Sequence, residues 1–296
     1  MAVTAVAAPR SAGRAALVAL RPRQWTKNLL LFAGLLFAGK IGETSLWLDA
    51  CVAFVAYCAA SSASYLANDV RDAPHDRAHP VKRLRPIASG ELPVRLAIAF
   101  AIDHGPRYAA RPKAAQARTT AFMAGFLALQ VAYSAGLKHV VLIDVLVIAA
   151  LFVVRASAGA EAVDVHISPW LLICTGLLAL FLALAKRRAE LVLVGADETP
   201  GRPVLEGYSL ALVDQLVSVV AASTVIAYSL YTFGARDTKA MMATVPFVVY
   251  GVFRYLLLLH RHDLGEEPEN VLLTDVPLIV TLVAWAATSA VILGLA

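Results

Sequence analysis

The sequence predicts an all-α fold, a polytopic membrane helical bundle of eight to nine transmembrane helices, and three observations carry that prediction. Of 296 residues, 59% are hydrophobic and only 16% charged, where soluble domains carry about 25% charged residues. The mean hydropathy is +0.70. The apolar residues are gathered in runs near the roughly 20 residues that cross a bilayer as a helix. Such a chain does not fit a water-soluble globular fold, and its length leaves no room for a separate soluble domain.

Taken in order, residues 1–20 are an Ala-rich tail with Arg10 and Arg14. The tail lacks a continuous apolar stretch followed by a cleavage site, so it is expected to be a cytoplasmic extension and not a cleaved signal peptide. Residues 21–296 are expected to form a single transmembrane domain. Apolar segments run over 28–39, 46–67, 119–137, 140–158, 168–185, 210–233, 240–259 and 274–295, each with too few charges for a surface helix. The first is short. A ninth span begins near Pro93 and stops after Ile102, because Asp103 to Arg118 holds five Ala, three Arg, one Lys and two Pro in sixteen residues and cannot cross a bilayer. The third helix is therefore expected to be disrupted. The composition of 103–118 is what an out-of-frame reading of GC-rich DNA between two compensating indels produces.

The charges set the orientation. With the N-terminus cytoplasmic, 30 of the 47 Asp, Glu, Lys and Arg fall in four windows on that side: 1–27, 69–95, 186–206 and 254–275. Opposite loops such as 159–167 are short and not basic, as cytoplasmic retention of Lys and Arg requires. The exception is 103–118, whose four basic residues fall on the wrong side. The net charge of +5 thus records topology in a multi-pass plasma-membrane protein, and no nucleic-acid partner is expected. Cys51, Cys58 and Cys174 lie in apolar segments without metal-ligand spacing and are expected to fill the core.

Leaving the second span, the chain reads Asn68-Asp69-Val70-Arg71-Asp72-Ala73-Pro74-His75-Asp76. The spacings i, i+4, i+8 and i, i+3, i+7 put Asn68, Asp69, Asp72 and Asp76 on one face of a continuing helix. Three carboxylates that close repel one another unless a cation lies among them, and hard oxygens with room for water suit Mg²⁺. The alternative is a solvated, charged helix end. Directly downstream, Lys82, Arg83 and Arg85 place three cations in four residues of a proline-stiffened loop. That loop suits a polyanion, with positive-inside retention as its alternative. A carboxylate array beside a cation loop is what a Mg²⁺-diphosphate requires.

These residues resemble the first signature, NDxxDxxxD, of the UbiA-type intramembrane prenyltransferases, which have nine helices and a cavity open at the cytoplasmic side. The likeness covers nearly the whole chain from Arg21-Pro22-Arg23-Gln24-Trp25-Thr26-Lys27-Asn28. It departs at the second signature, where ordinary members carry another DxxxD after the sixth span and this chain has Lys186-Arg187-Arg188-Ala189-Glu190-Leu191. The branch it resembles most is that of the decaprenyl-phosphate phosphoribosyltransferases of actinobacterial wall synthesis. The shared elements are NDVRD followed by HPVKRLRPIASG, Tyr133 to His139 with Asp144, Arg155 to Gly159, Phe253 to Leu256, and Pro268 to Asp275.

That resemblance implies phosphoribosyl diphosphate as donor and a polyprenyl phosphate lipid as nucleophile. Substitution at the anomeric carbon passes through an oxocarbenium-like state, which calls for a Mg²⁺-neutralised leaving group and fixed positive charge around it. Asn68, Asp69, Asp72 and Asp76 are expected to hold Mg²⁺, the three aspartates being the catalytic carboxylates. Lys82, Arg83 and Arg85 would bind donor phosphates, with Lys186, Arg187 and Glu190 facing them across the cavity. Lys27 and Lys138 join the substrate-binding set, and Asp144 matches the same pattern. The lipid tail would lie along apolar walls. Among intramembrane arginines, which need a partner or a task, Arg254 lies on the cytoplasmic half and Arg155 is expected to be structural. His75 could face donor or solvent, and Tyr228, Tyr231 and Phe233 read as an interfacial aromatic belt. Two rival functions are prenylation of an aromatic acceptor, disfavoured by the basic 186–190 element, and transport. Transport would place interrupted, repeated helices at the midplane, whereas here the charges gather at one face.

Overall fold

The computed structural model describes residues 11–37, 39–40, 42–78, 82–92, 113–166, 168–195, 203–234, 239–261, 271 and 274–295. Among these residues there are helices and no strands. The α-helices are α1 (Ala12–Leu20), α2 (Ala33–Phe37), α3 (Thr44–Ala78), α4 (Lys113–Ala135), α5 (Ile143–Ala162), α6 (Pro169–Gly195), α7 (Leu210–Gly234), α8 (Val245–Arg261) and α9 (Val276–Leu295). Short 3₁₀ segments join them, and one longer run, Pro22–Phe32, leads from α1 into α2.

Six described helices are long and apolar enough to cross a membrane, carried by α3, α5, α6, α7, α8 and α9. The remaining two apolar segments, 28–39 and 119–137, are not among these six, although 119–135 is helical within α4. Residues 28–37 continue the 3₁₀ run and end in the five-residue α2. Residues 113–118, expected to break the chain's helical order, are the first turns of α4, because Ala, Lys, Gln and Arg are good helix formers whatever their polarity. The break expected in the third helix otherwise falls on 93–112, outside the described residues.

The chain divides into two compact units. The first comprises Met1–Asn28 and Val55–Ala109. Its small core joins Ala19 of α1, Leu66 and Ala73 of α3, and Ile87 and Leu92 of the following loop. At 35 residues and 1.5 Å per residue α3 is about 52 Å long, well beyond the ~30 Å hydrocarbon layer. Its C-terminal turns therefore carry Asn68 to Asp76 beyond the apolar stretch. Pro74 lies within that helix, on an exposed position where a missing amide bond costs least.

The second unit comprises Leu29–Phe54 and Ala110–Ala296. Its main core brings together α5, α6, α7 and α8, with Phe181 set edge-on to Tyr255 at 5.3 Å. A second cluster packs Phe37, Cys174, Tyr228, Tyr231, Met241 and Leu293. Tyr228 and Tyr231 are thus buried, not part of an interfacial belt; Phe233 alone of the three is exposed. The reason is a polar partner set inside the cluster, where the Tyr228 hydroxyl takes a hydrogen bond from Trp285 Nε1 at 2.7 Å and pairs with Thr244 Oγ1 at 2.7 Å.

Close packing fixes the entry to this unit. A Cβ on Gly159 would lie 2.2 Å from the Leu31 carbonyl oxygen, and one on Gly34 2.9 Å from Ala160 Cα. Only glycine permits so near an approach of the 3₁₀ run and α2 to α5. Cys174 and Cys58 are buried as expected, but Cys51 is exposed. The most apolar span, in α9, with mean hydropathy 2.2, is also the least buried, and Val276, Val280, Val283 and Val291 are each about 60% exposed. A helix both strongly apolar and open on most of its surface belongs in lipid. The protein is a multi-pass membrane protein.

Candidate functional site

The acidic motif lies on the last turns of α3, and the structure brings together two of its three carboxylates. Asp69 and Asp76, two turns apart, are both buried, at 4% and 5% exposure, whereas Asp72 between them is half-buried and pairs with its neighbour Arg71 at 3.3 Å. Buried carboxylates need counter-charge, and two arginines supply it. Arg85 Nη1 donates to Asp76 Oδ2 at 2.7 Å and to Asp69 Oδ1 at 3.3 Å. Arg21 Nη2 donates to the same Asp69 oxygen at 2.6 Å and stacks over the Tyr65 ring at 4.9 Å.

The loop that carries Arg85 is rigid at its backbone. Leu92 N–H donates to the Pro86 carbonyl at 2.8 Å and Ser89 N–H to the Arg85 carbonyl at 2.8 Å. Arg77 Nε donates to the Ala88 carbonyl at 3.3 Å, and Gly90 supplies the positive φ of 81° that closes the turn. Arg21 ends α1 in the left-handed region, at φ 53°, directly before Pro22. A bulky residue held there is an outlier of the kind that collects at functional sites. Arg21, Asp69 and Arg85, with Val18, Leu84 and Pro86, line a cavity of about 270 Å³ in the first unit.

The other assigned residues fall as follows. Asn68 is half-buried on the same helix end, Arg83 is exposed, and Lys27 is half-buried on the 3₁₀ run. The side chains of His75 and Lys82 lie outside the described residues. Beside Lys27, Asn28 is fully buried and donates to Cys58 Sγ at 3.3 Å, and Trp25 Nε1 donates to Ser62 Oγ at 3.0 Å. These bonds hold the 3₁₀ run against α3 within the first unit.

In the second unit the basic 186–190 element is neutralised from within. Arg187, its side chain 2% exposed, donates from Nε to Asp144 Oδ2 at 2.7 Å and from Nη1 to Glu190 Oε2. Asp144 is wholly buried in the first turn of α5, where the helix N-terminus favours a negative charge. Its second oxygen accepts from the Tyr208 hydroxyl at 2.7 Å, and that hydroxyl accepts from Leu142 N–H at 2.8 Å. Burial, followed by the bond to Asp144, pushes the Tyr208 hydroxyl up to about 12. Arg188 turns elsewhere, to Asp214 at 2.7 Å and the Leu259 carbonyl at 3.1 Å. Lys186 and Lys138 are half-buried.

Both intramembrane arginines have structural occupations. Arg155 lies over the rings of Phe126 at 4.7 Å and Phe152 at 5.4 Å. Arg254 grips Asp275 with two bonds, at 3.2 and 2.8 Å, and Asp275 in turn caps α9 through Leu278 N–H. The arginine's hydrogen bonds hold the Asp275 carboxyl below the usual carboxylate range.

Sequence reasoning did not assign Arg21, Tyr208 or Arg188 to a site. Arg21 stood as one topology charge among several, although its place just before proline at a helix end was a local signal. Tyr208 and Asp144 are 64 residues apart and Arg188 and Asp214 26 apart, so no local pattern announces them.

Among the described residues no group of three His, Cys, Asp or Glu side chains is placed to hold a metal. Asp69 and Asp76 nevertheless fit a hard cation, since one nitrogen of Arg85 already stands between them as a shared positive centre. Mg²⁺ keeps several of its waters and uses one or two carboxylates plus substrate phosphates, so two such oxygens are a sufficient protein contribution.

Comparison with known proteins agrees with this construction. The UbiA prenyltransferase family model matches residues 28–274. The decaprenyl-phosphate phosphoribosyltransferase of Corynebacterium glutamicum is 34% identical over 290 residues, 94% of this chain and 86% of that protein. The protein of that name from Mycolicibacterium smegmatis is 35% identical over 286 residues, 91% of this chain and 89% of its own length. A solved UbiA homolog from Archaeoglobus fulgidus, bound to GPP and Mg²⁺, superposes with a TM-score of 0.71 at 19% identity, over 94% of this chain and 99% of that one, and shares the fold. From the matched family model, the similarity over almost the full length and the common helical fold, the chain belongs to the UbiA prenyltransferase family.

Proposed function

We propose that the protein transfers the 5-phosphoribosyl group from phosphoribosyl diphosphate to a polyprenyl phosphate, in the manner of the decaprenyl-phosphate phosphoribosyltransferases. A lipid phosphate oxygen forms a bond to the anomeric carbon as the bond from that carbon to the diphosphate breaks, and diphosphate leaves. The observation that carries this reading is the 34–35% identity to two proteins of that name over more than nine-tenths of the chain. The geometry supports it twice. Buried Asp69 and Asp76 beside Arg21 and Arg85 suit a diphosphate with its metal, and the element at 186–190 is basic and internally paired, where a second acidic motif would serve an allylic donor.

Within this reading Asp69, Asp72 and Asp76, with Asn68, hold Mg²⁺, which when bound neutralises the leaving diphosphate. Lys82, Arg83 and Arg85 bind donor phosphates, and Lys27, Lys138, Lys186, Arg187 and Glu190 complete the substrate-binding set. The acceptor phosphate is already an anion near neutral pH, so no strong general base is needed. The transmembrane domain expected over residues 21–296 lies in the plasma membrane with the site on the cytoplasmic side, and residues 1–20, read from sequence as a cytoplasmic tail, include α1, which packs Ala19 into the core of the first unit. The test is a transfer assay with labelled phosphoribosyl diphosphate and a polyprenyl phosphate, run in competition with an allylic diphosphate. The reading expects Mg²⁺-dependent label in the lipid fraction that the allylic diphosphate does not suppress. Prenylation of an aromatic acceptor without phosphoribosyl transfer would overturn it.

A further inference from the structure

The position of Arg85 has a chemical consequence for how the site fills. Its Nη1 is 2.7 Å from Asp76 and 3.3 Å from Asp69, and these are the two most buried carboxylates of the motif. Asp69 and Asp76 would take up a hard cation only where the guanidinium gave up its place as their shared counter-ion. The Arg85 backbone is fixed by the turn bonds of residues 85–92 and by the burial of Ile87 and Leu92. Its side chain, however, is 32% exposed and lines the cavity.

We infer that Arg85 is an exchangeable counter-ion: it neutralises Asp69 and Asp76 until the donor arrives as its divalent-metal complex, then turns to the diphosphate. This rests on the reading of Asp69 and Asp76 as the donor's metal site. Charge drives the exchange. A bare divalent cation must displace Arg85 and leave the guanidinium without a carboxylate, which is unfavourable beside buried charges. A metal–diphosphate complex brings its own anion, and Arg85 exchanges a carboxylate for a phosphate that its planar fork binds equally well. Metal and donor therefore bind as a unit, and by linkage each tightens the other by the same factor.

The test is equilibrium dialysis of Mn²⁺ at fixed free concentration against the full chain in detergent, with and without phosphoribosyl diphosphate. The native protein is expected to bind Mn²⁺ about tenfold or more tightly with donor than without. Arg85→Gln is expected to bind Mn²⁺ alone about tenfold or more tightly than the native protein, since the competing cation is gone. Asp76→Asn should lose Mn²⁺ in both conditions. Mn²⁺ binding to Arg85→Gln without donor that is equal to or weaker than native overturns the inference while leaving the donor site in place. If that variant does not fold, the native protein decides, because equally tight Mn²⁺ with and without donor overturns the exchange. Absence of donor-dependent Mn²⁺ in the native protein, with no Mn²⁺ lost in Asp76→Asn, overturns the donor-site reading itself.

Discussion

Arg187 lies between Asp144 and Glu190 with almost none of its side chain exposed, so its replacement removes the positive charge that both carboxylates share. Arg187→Met should cost about 3–5 kcal/mol of stability, measurable as a fall in thermal midpoint in detergent, whereas half-buried Lys186→Met should cost less than about 1 kcal/mol. Equal effects of the two would contradict the buried triad. Tyr208 supports the same carboxylate from the other side. Its folded pKa is raised, so its contribution is intact below the free tyrosine value of about 10 and fades as pH climbs through about 12. Tyr208→Phe should be less stable than native by about 1–3 kcal/mol at neutral pH, with the gap closing across that alkaline window. A gap that is absent at pH 7, or that widens toward pH 12, would count against the assignment. At this scale the sequence singled out most charged residues of the candidate site but not their partners. Asp69, Asp76 and Arg85 were legible because helix spacing and a short loop bring them together. The Arg187–Asp144–Tyr208 chain was not, because its members come from 43 and 64 residues apart.

The elements follow from hydropathy wherever length and apolarity agree, as in α3 and α5 to α9. They depart from it where backbone contacts intervene. Residues 28–37 are apolar yet adopt a 3₁₀ run and a single short helix, because Gly159 and Gly34 bring that segment against α5 at distances no side chain tolerates. Gly159→Ala should therefore destabilise the protein by about 3 kcal/mol or more, since the neighbour that must yield is backbone. Gly125→Ala, in the middle of α4 with nothing within 4 Å of its new methyl, should be neutral or stabilising by up to about 1 kcal/mol. Thermal unfolding of the two variants side by side checks both; a Gly159→Ala protein as stable as native would mean that the 3₁₀ run does not hold this register. The aromatic residues of α7 teach the same lesson, since the helical spacing of Tyr228 and Tyr231 could not reveal that Thr244 and Trp285 satisfy a buried hydroxyl.

Across the whole molecule, composition alone located the chain in a membrane, and the exposed valines of α9 give that reading its structural counterpart. The grouping of 30 of 47 charges in four windows makes the orientation testable. In a chain whose own cysteines are replaced, Arg83→Cys should react with a membrane-impermeant thiol reagent only after the cells are opened, and Asp164→Cys should react from outside. The reverse pattern would invert the topology. The family was legible in the NDxxDxxxD motif and the departure at 186–190, since both are contiguous in sequence. The central claim is phosphoribosyl transfer at the Asp69–Asp76 carboxylates, and it is tested most directly by turnover of phosphoribosyl diphosphate and polyprenyl phosphate with Mg²⁺ titrated against native and Asp76→Asn proteins. The account predicts Mg²⁺-dependent labelled lipid from the native protein and a loss of about a hundredfold or more in the folded variant. Undiminished turnover in Asp76→Asn, or native turnover indifferent to Mg²⁺, would contradict it.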